Sequence, residues 1–251
     1  MTRILITGLN GTLAPKVAEA ARRRGHEVAG WDRAAVSPDD ADAGRRSLEG
    51  GRFGAVLHLA MGSEDWAGRL AGFAAGAGIP FVQTGTAMVF DHEPDGPHRP
   101  GDARTAKDEY GRYKIRCEDA ILVANPGAMI ARIGWQIDPD ARGNNMLAHL
   151  DGWQRDQGRV EASRLWTPAT SFMADTAEAL LDLMEAPAPG IHHLDSNAVE
   201  AHRFDAVARA LARTFRRDWR VEVTDSYRHD QRLAGGEARM PPLSARLEGL
   251  A

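Results

Sequence analysis

The feature that most constrains the fold is a turn near the start of the chain. Gly8-Leu9-Asn10-Gly11 lies between a short apolar run, Ile4 to Thr7, and a helical stretch from Thr12 to Arg24. The apolar positions of that stretch, Leu13, Val17, Ala20 and Ala21, share one face. Glycines at 8 and 11 permit a tight strand–turn–helix connection and close approach to a pyrophosphate, and the helix N-terminus presents unpaired N–H groups to the anion. Ala14 is small enough for close helix–sheet packing. Asn10, Thr12 and Leu13 complete the expected cradle.

The same alternation continues. Glu27 to Trp31, Ala55 to Leu59, Ile79 to Thr84 and Ala128 to Ile133 read as strands. Helices are expected from Asp42 within the polar segment Val36 to Gly51, over Glu64 to Gly76, and over Ala103 to Val123. Strands alternating with helices predict an α/β fold, a Rossmann-type doubly wound parallel sheet. After about Trp135 the pattern loosens, with helices expected at Asn144–Gln157, Asp175–Met184 and His202–Phe215 and short strands between them. This predicts a nucleotide-binding domain over 1–135 plus returning segments, and a small, discontinuous substrate-facing lobe from most of 136–251.

Asp32 ends the second strand some twenty residues after the glycines, where a carboxylate can accept from adenosine ribose hydroxyls and so favours NAD. Arg33 beside it could hold a 2′-phosphate and so favour NADP. The residues leave the two dinucleotides open.

The net charge of −4 gives no reason to expect nucleic acid or an anionic membrane as a partner. A single cysteine, Cys117, rules out an intrachain disulfide. No stretch reaches the ~20 apolar residues of a membrane span. Met1 to Ile6 leads directly into a strand, so no leader is expected and the chain reads as cytoplasmic. None of the nine histidines shows H-x-x-x-H spacing on a helix, and no metal site is expected.

The second strong signal is Tyr110-Gly111-Arg112-Tyr113-Lys114, in a chain with three tyrosines and three lysines. Residues four apart share a helix face, so Tyr110 and Lys114 can point into one cleft. A phenol near pKa 10 needs about 4 kcal/mol of differential stabilisation to titrate at neutral pH, and a nearby ammonium supplies part of it.

These motifs resemble those of extended and atypical short-chain dehydrogenases/reductases, most closely the dTDP-4-dehydrorhamnose reductase group. Thr7-Gly8 through Ala14, Gly85-Thr86-Ala87-Met88-Val89-Phe90-Asp91 and Tyr110 through Lys114 carry the resemblance, with a weaker echo in His58-Leu59-Ala60. It implies an NAD(P)-dependent oxidoreductase acting on a keto or hydroxyl group, that of a nucleotide-activated deoxysugar, and a homodimer. Tyr110 would be the general acid/base and Thr86 a hydrogen-bond partner of the substrate carbonyl. Lys114 would bind the nicotinamide ribose and lower the pKa of Tyr110. Leu59, Ala60 and Met61 would lie against the cofactor. An NAD-retaining epimerase and a non-catalytic, dinucleotide-binding regulatory or scaffold protein are the alternatives. Ala87 and Met88 stand where the dehydratases of the superfamily need acid/base carboxylates, which disfavours water elimination.

Overall fold

The computed structural model describes residues 1–140, 143–236 and 239–250. In chain order the elements are β1 (Arg3–Thr7), α1 (Ala14–Arg23), β2 (Glu27–Gly30), α2 (Ala41–Gly51), β3 (Ala55–His58), α3 (Glu64–Ala77), β4 (Phe81–Thr86), α4 (Glu109–Ala124), β5 (Met129–Ile133), β6 (Trp135–Ile137), α5 (Met146–Gln157), β7 (Val160–Ser163), β8 (Trp166–Thr167), β9 (Thr170–Phe172), α6 (Met173–Glu185), β10 (Gly190–Leu194), α7 (Phe204–Thr214), β11 (Val221–Thr224) and β12 (His229–Asp230). They fall into two compact units of similar length. One comprises 1–86, 107–131 and 177–192; the other comprises 87–106, 132–176 and 193–251.

The first unit is built on a six-stranded sheet in the order β2-β1-β3-β4-β5-β10. Its β1–β2, β1–β3 and β3–β4 pairs are parallel. Successive strand residues point to opposite faces. Leu5, Val56, Phe81 and Ile130 join one apolar cluster with Leu48 of α2, Trp66, Leu70 and Ala74 of α3 and Ile121 of α4. Ile4, Ile6, Leu57, Val82 and Met129 are equally buried outside that cluster. Burial on both faces is what a parallel sheet requires, and it is why these strands read as continuous apolar runs. The expected α/β, Rossmann-type fold class is therefore the observed one. The returning helix α6 is tied to the end of α1, where Arg24 pairs with Glu178, Asp182 and Glu185.

Because β2 pairs to one side of β1 and β3 to the other, the strand order reverses between β1 and β3. Thr7 stands opposite His58 at that reversal. A crevice beyond the carboxyl ends of such strands is where open α/β sheets bind ligands.

Among the described residues the second unit has three two-stranded parallel pairs, β6–β9, β7–β11 and β8–β12. Its core joins Ile137, Leu147, Leu150, Phe172, Phe204, Leu211 and Leu243, with Trp135, Trp153 and Trp166 packed against them. The tryptophans are thus core residues. Asn145, fully buried, caps α5 by accepting from the Ala148 N–H at 3.1 Å. Asp195 accepts from the backbone N–H groups of Thr170, Asn197 and Leu233, which ties three segments together.

Strand β4 and helix α4 differ from the sequence expectation in ways that matter to the site. Strand β4 begins at Phe81 because Pro80 has no N–H to give the ladder, and it runs on to Thr86, so Thr86 ends a strand. Helix α4 begins at Glu109, six residues later than expected, because the extended Asp108 accepts from the Gly111 N–H at 2.8 Å and starts the helix there. Among the described residues no helix is long and apolar enough to cross a membrane.

Candidate active site at the carboxyl ends of the first-unit strands

The turn after β1 is closed by the Gly11 N–H donating to the Gly8 carbonyl at 2.8 Å. Gly8 has φ +83°, and a Cβ there would lie 3.1 Å from the Ala60 Cα and N and 3.2 Å from the Leu59 carbonyl carbon. Glycine at 8 therefore serves contact between two backbones at the strand-order reversal. Around a Cβ at Gly11 the Gly8 oxygen lies at 3.1 Å. Gly11 and Asn10 are exposed, and Thr12 and Leu13 are half-buried. Helix α1 starts at Ala14, two residues later than expected. Leu13 is its N-cap residue, with no side-chain hydrogen bond to the helix, and the first turn holds no acidic residue. The positive end of the helix dipole is thus uncompensated by side chains, as an anion site needs.

The opposite wall is the loop after β3, and Thr7 organises it. The Thr7 hydroxyl accepts from the Leu59 N–H at 3.0 Å and the Ala60 N–H at 3.1 Å. With both lone pairs used, it must donate its proton to His58 Nδ1, 2.9 Å away. That fixes His58 with its proton on Nε2. Burial, then the charges of Lys114 and Arg33, depress the His58 imidazole to a pKa of about 3, so it is neutral. Ala60 is buried and Met61 is 50 % exposed.

Arg33 reaches this loop as well. Its guanidinium donates to the Met61 carbonyl and lies over the Trp66 ring, 5.1 Å from the centroid. Asp32 is exposed, and its Oδ1 accepts from the Ala34 and Ala35 N–H groups at 2.9 and 3.3 Å. The turn uses one carboxylate oxygen, and Oδ2 retains lone pairs suited to a ribose hydroxyl.

Thr86 and Tyr110 meet: their side chains are hydrogen-bonded. Thr86 is 8 % exposed at the end of β4, and Tyr110 is 40 % exposed in the first turn of α4. Burial pushes the Tyr110 phenol above its ordinary pKa, the Thr86 hydrogen bond pulls it down, and the charge of Asp108 pushes it up again. Lys114 is 6 % exposed, and its ammonium donates to the Thr84 carbonyl at 3.0 Å. Burial lowers its pKa, against the charges of Cys117 and Glu118. Lys114 does not bring the Tyr110 phenol below its ordinary pKa in this structure, because burial of the phenol outweighs its hydrogen bond; one of the three Lys114 ammonium protons goes to the Thr84 carbonyl. A protonated phenol paired with a threonine hydroxyl can deliver a proton to a carbonyl oxygen.

All thirteen candidate residues lie in the first unit, on loops at the carboxyl ends of β1, β2 and β3, at the end of β4 and on α4. Sequence reasoning did not find the roles of Thr7 and His58 in shaping the β3 loop. A histidine inside the apolar run Ala55–Leu59 was the available signal, because a buried imidazole needs a partner. Arg155, Arg159 and Arg164, in the second unit, are in exposed ion pairs with Asp156, Glu161 and Asp225.

The chain is similar to known proteins. Residues 63–234 match the family model described as the RmlD substrate binding domain. A dTDP-4-dehydrorhamnose reductase of Mycolicibacterium smegmatis is 26 % identical over 245 residues, covering 90 % of this chain and 74 % of the relative. The crystal structure of a dTDP-4-dehydrorhamnose reductase from Bacillus anthracis in complex with NADP superposes with a TM-score of 0.81 at 14 % identity, covering 96 % of this chain and 95 % of the other. The WbmH enzyme of Bordetella bronchiseptica, in complex with NAD+, gives 0.76 at 17 % identity, with coverages of 95 % and 90 %. These two structures share the fold. With its family model matching well over half of the residues, the chain belongs to the RmlD substrate-binding-domain family.

Proposed function

We propose that the protein is an NAD(P)-dependent reductase of the keto group of a nucleotide-activated deoxysugar, of the dTDP-4-dehydrorhamnose reductase kind. The observation that carries this reading is the Thr86–Tyr110 hydrogen bond at the carboxyl edge of a dinucleotide-type sheet, one helical turn from the buried Lys114. The relatives' names supply the substrate class.

The residues present suit a dinucleotide. The uncapped N-terminus of α1 and the open side of Gly11 suit its pyrophosphate. Asp32 or Arg33 suits its adenosine ribose, and Lys114 the nicotinamide ribose. When bound, it supplies the hydride. Tyr110 gives its proton to the carbonyl oxygen of the sugar, and its raised pKa keeps that proton in place until the oxygen gains charge. Thr86, already bonded to Tyr110, orients the same oxygen and shares its developing charge. Lys114 holds a positive charge near the phenol as it ionises.

The experiment is an assay of 4-keto nucleotide sugars with NADH and NADPH, followed by nicotinamide absorbance. Turnover of at least one 4-keto sugar is expected. Dinucleotide binding with no turnover across the panel would favour the scaffold reading instead.

A further inference from the structure

Tyr113 stands one residue before Lys114 on α4 and is half-buried. Its hydroxyl donates to the Gly62 carbonyl at 2.7 Å and accepts from the Gly62 N–H at 3.2 Å. A single side chain thereby satisfies both polar groups of one loop residue, a service usually given by a neighbouring strand. Gly62 is also constrained from below. A Cβ there would lie 2.3 Å from the Trp66 ring, so the chain turns hard against that indole. On either side, the Met61 carbonyl accepts from Arg33, and the Ser63 hydroxyl accepts from the Trp66 N–H at 3.2 Å. Burial pushes the Tyr113 phenol up to about 12, so it stays protonated and keeps donating across the working pH range.

We propose that Tyr113 is a positioning residue that locks the loop 59–62 to the helix carrying Tyr110 and Lys114. The inference rests on the functional reading above, in which that loop lies against the dinucleotide. The two hydrogen bonds make loop and helix one body at this point, so they hold the loop in the shape that receives the dinucleotide. Arg33 and Ser63 hold the loop to the β2 side and to α3, and Tyr113 adds its tie to the reacting helix.

The test uses Tyr113→Phe in the full chain. Phenylalanine keeps the ring beside Tyr110, whose centroid is 6.5 Å away, and removes both bonds to Gly62. Dinucleotide Kd from calorimetry, and KM for the dinucleotide, should rise roughly three- to tenfold, the range for losing one or two modest hydrogen bonds. The kcat should stay within about threefold, and KM for the sugar should not move. Ile121→Val, fully buried on the same helix, is the stability control: it should lower the melting temperature and leave dinucleotide Kd unchanged. Tyr113→Phe binding as tightly as wild type overturns the inference, as does an equal loss of affinity in Ile121→Val. Wild type that binds neither dinucleotide overturns the functional reading itself, a result distinguishable from both.

Discussion

At Gly8 and Gly11 the same residue type answers two different demands. Gly8 has a left-handed backbone and no room for a Cβ beside Ala60, so Gly8→Ala should act through the fold. A cost of about 1–3 kcal/mol is expected, read as a lower melting temperature and weaker dinucleotide binding together. Gly11 is exposed, and its surroundings are open apart from the Gly8 oxygen. Gly11→Asp should therefore leave the melting temperature nearly unchanged while abolishing dinucleotide binding in calorimetry, because a carboxylate enters the pyrophosphate space. Unchanged binding in that variant would move the pyrophosphate elsewhere. For Lys114→Met, weaker dinucleotide binding and slower turnover are both expected, and kinetics at saturating dinucleotide separate them. At this scale the spacing of Tyr110 and Lys114 was informative on position, since both lie on α4 four residues apart. The sequence was silent where a side chain serves a distant backbone. Nothing near Thr7 in sequence announces that its hydroxyl holds Leu59 and Ala60, more than fifty residues away.

Among the elements, α4 matters most to the reading, since it carries Tyr110, Tyr113 and Lys114. Its start is set by Asp108, whose carboxylate accepts the Gly111 N–H. Asp108→Ala should cost about 1 kcal/mol of stability by thermal melting. It should also lower the Tyr110 pKa, because the Asp108 charge is one of the influences raising it. A pH–rate profile moved to the acid side would report this, and an unmoved profile would show that Asp108 only caps. Long apolar strands and helix bodies were legible because periodicity records burial. The start of α4 was not, because Ala103 to Lys107 are compatible with helix and the decision lies in one side chain. The two- and three-residue strands β6, β8, β9 and β12 were invisible for a related reason: so short a run has no period.

For the whole molecule, titration of buried histidines gives a prediction. Burial, the first cause in each case, depresses His58 to about 3 and His193 and His229 to about 4, and lowers His98. The unfolded chain, with histidines near 6.5, binds more protons than the folded one between those values, so stability falls as pH drops from about 6.5 toward 4. Asp195 works the other way. Burial pushes its carboxyl up to about 7 against its three N–H donors, so the folded state holds a proton there that the unfolded chain releases. Four histidines against one aspartate leave a net acid sensitivity. His58 alone is worth about 2 kcal/mol between pH 6.5 and 5, at 1.4 kcal/mol per unit. Thermal melts should show a clearly lower midpoint at pH 5 than at pH 7.5; an equal or higher midpoint would contradict these burials. One division falls between Ala131 and Arg132, near the change in element pattern after β5, and the inclusion of 87–106 in the second unit depends on contacts made far along the chain.

The central claim is that Tyr110 protonates a sugar carbonyl while a nicotinamide dinucleotide reduces it. Its most direct test compares wild type with Tyr110→Phe under single-turnover conditions, using dTDP-4-dehydrorhamnose and reduced dinucleotide, with dinucleotide Kd measured in parallel. The account predicts the same Kd and a rate lower by about two to four orders of magnitude, the usual effect of removing a positioned proton donor. A Tyr110→Phe protein that binds the dinucleotide and reduces the sugar at the wild-type rate would contradict it.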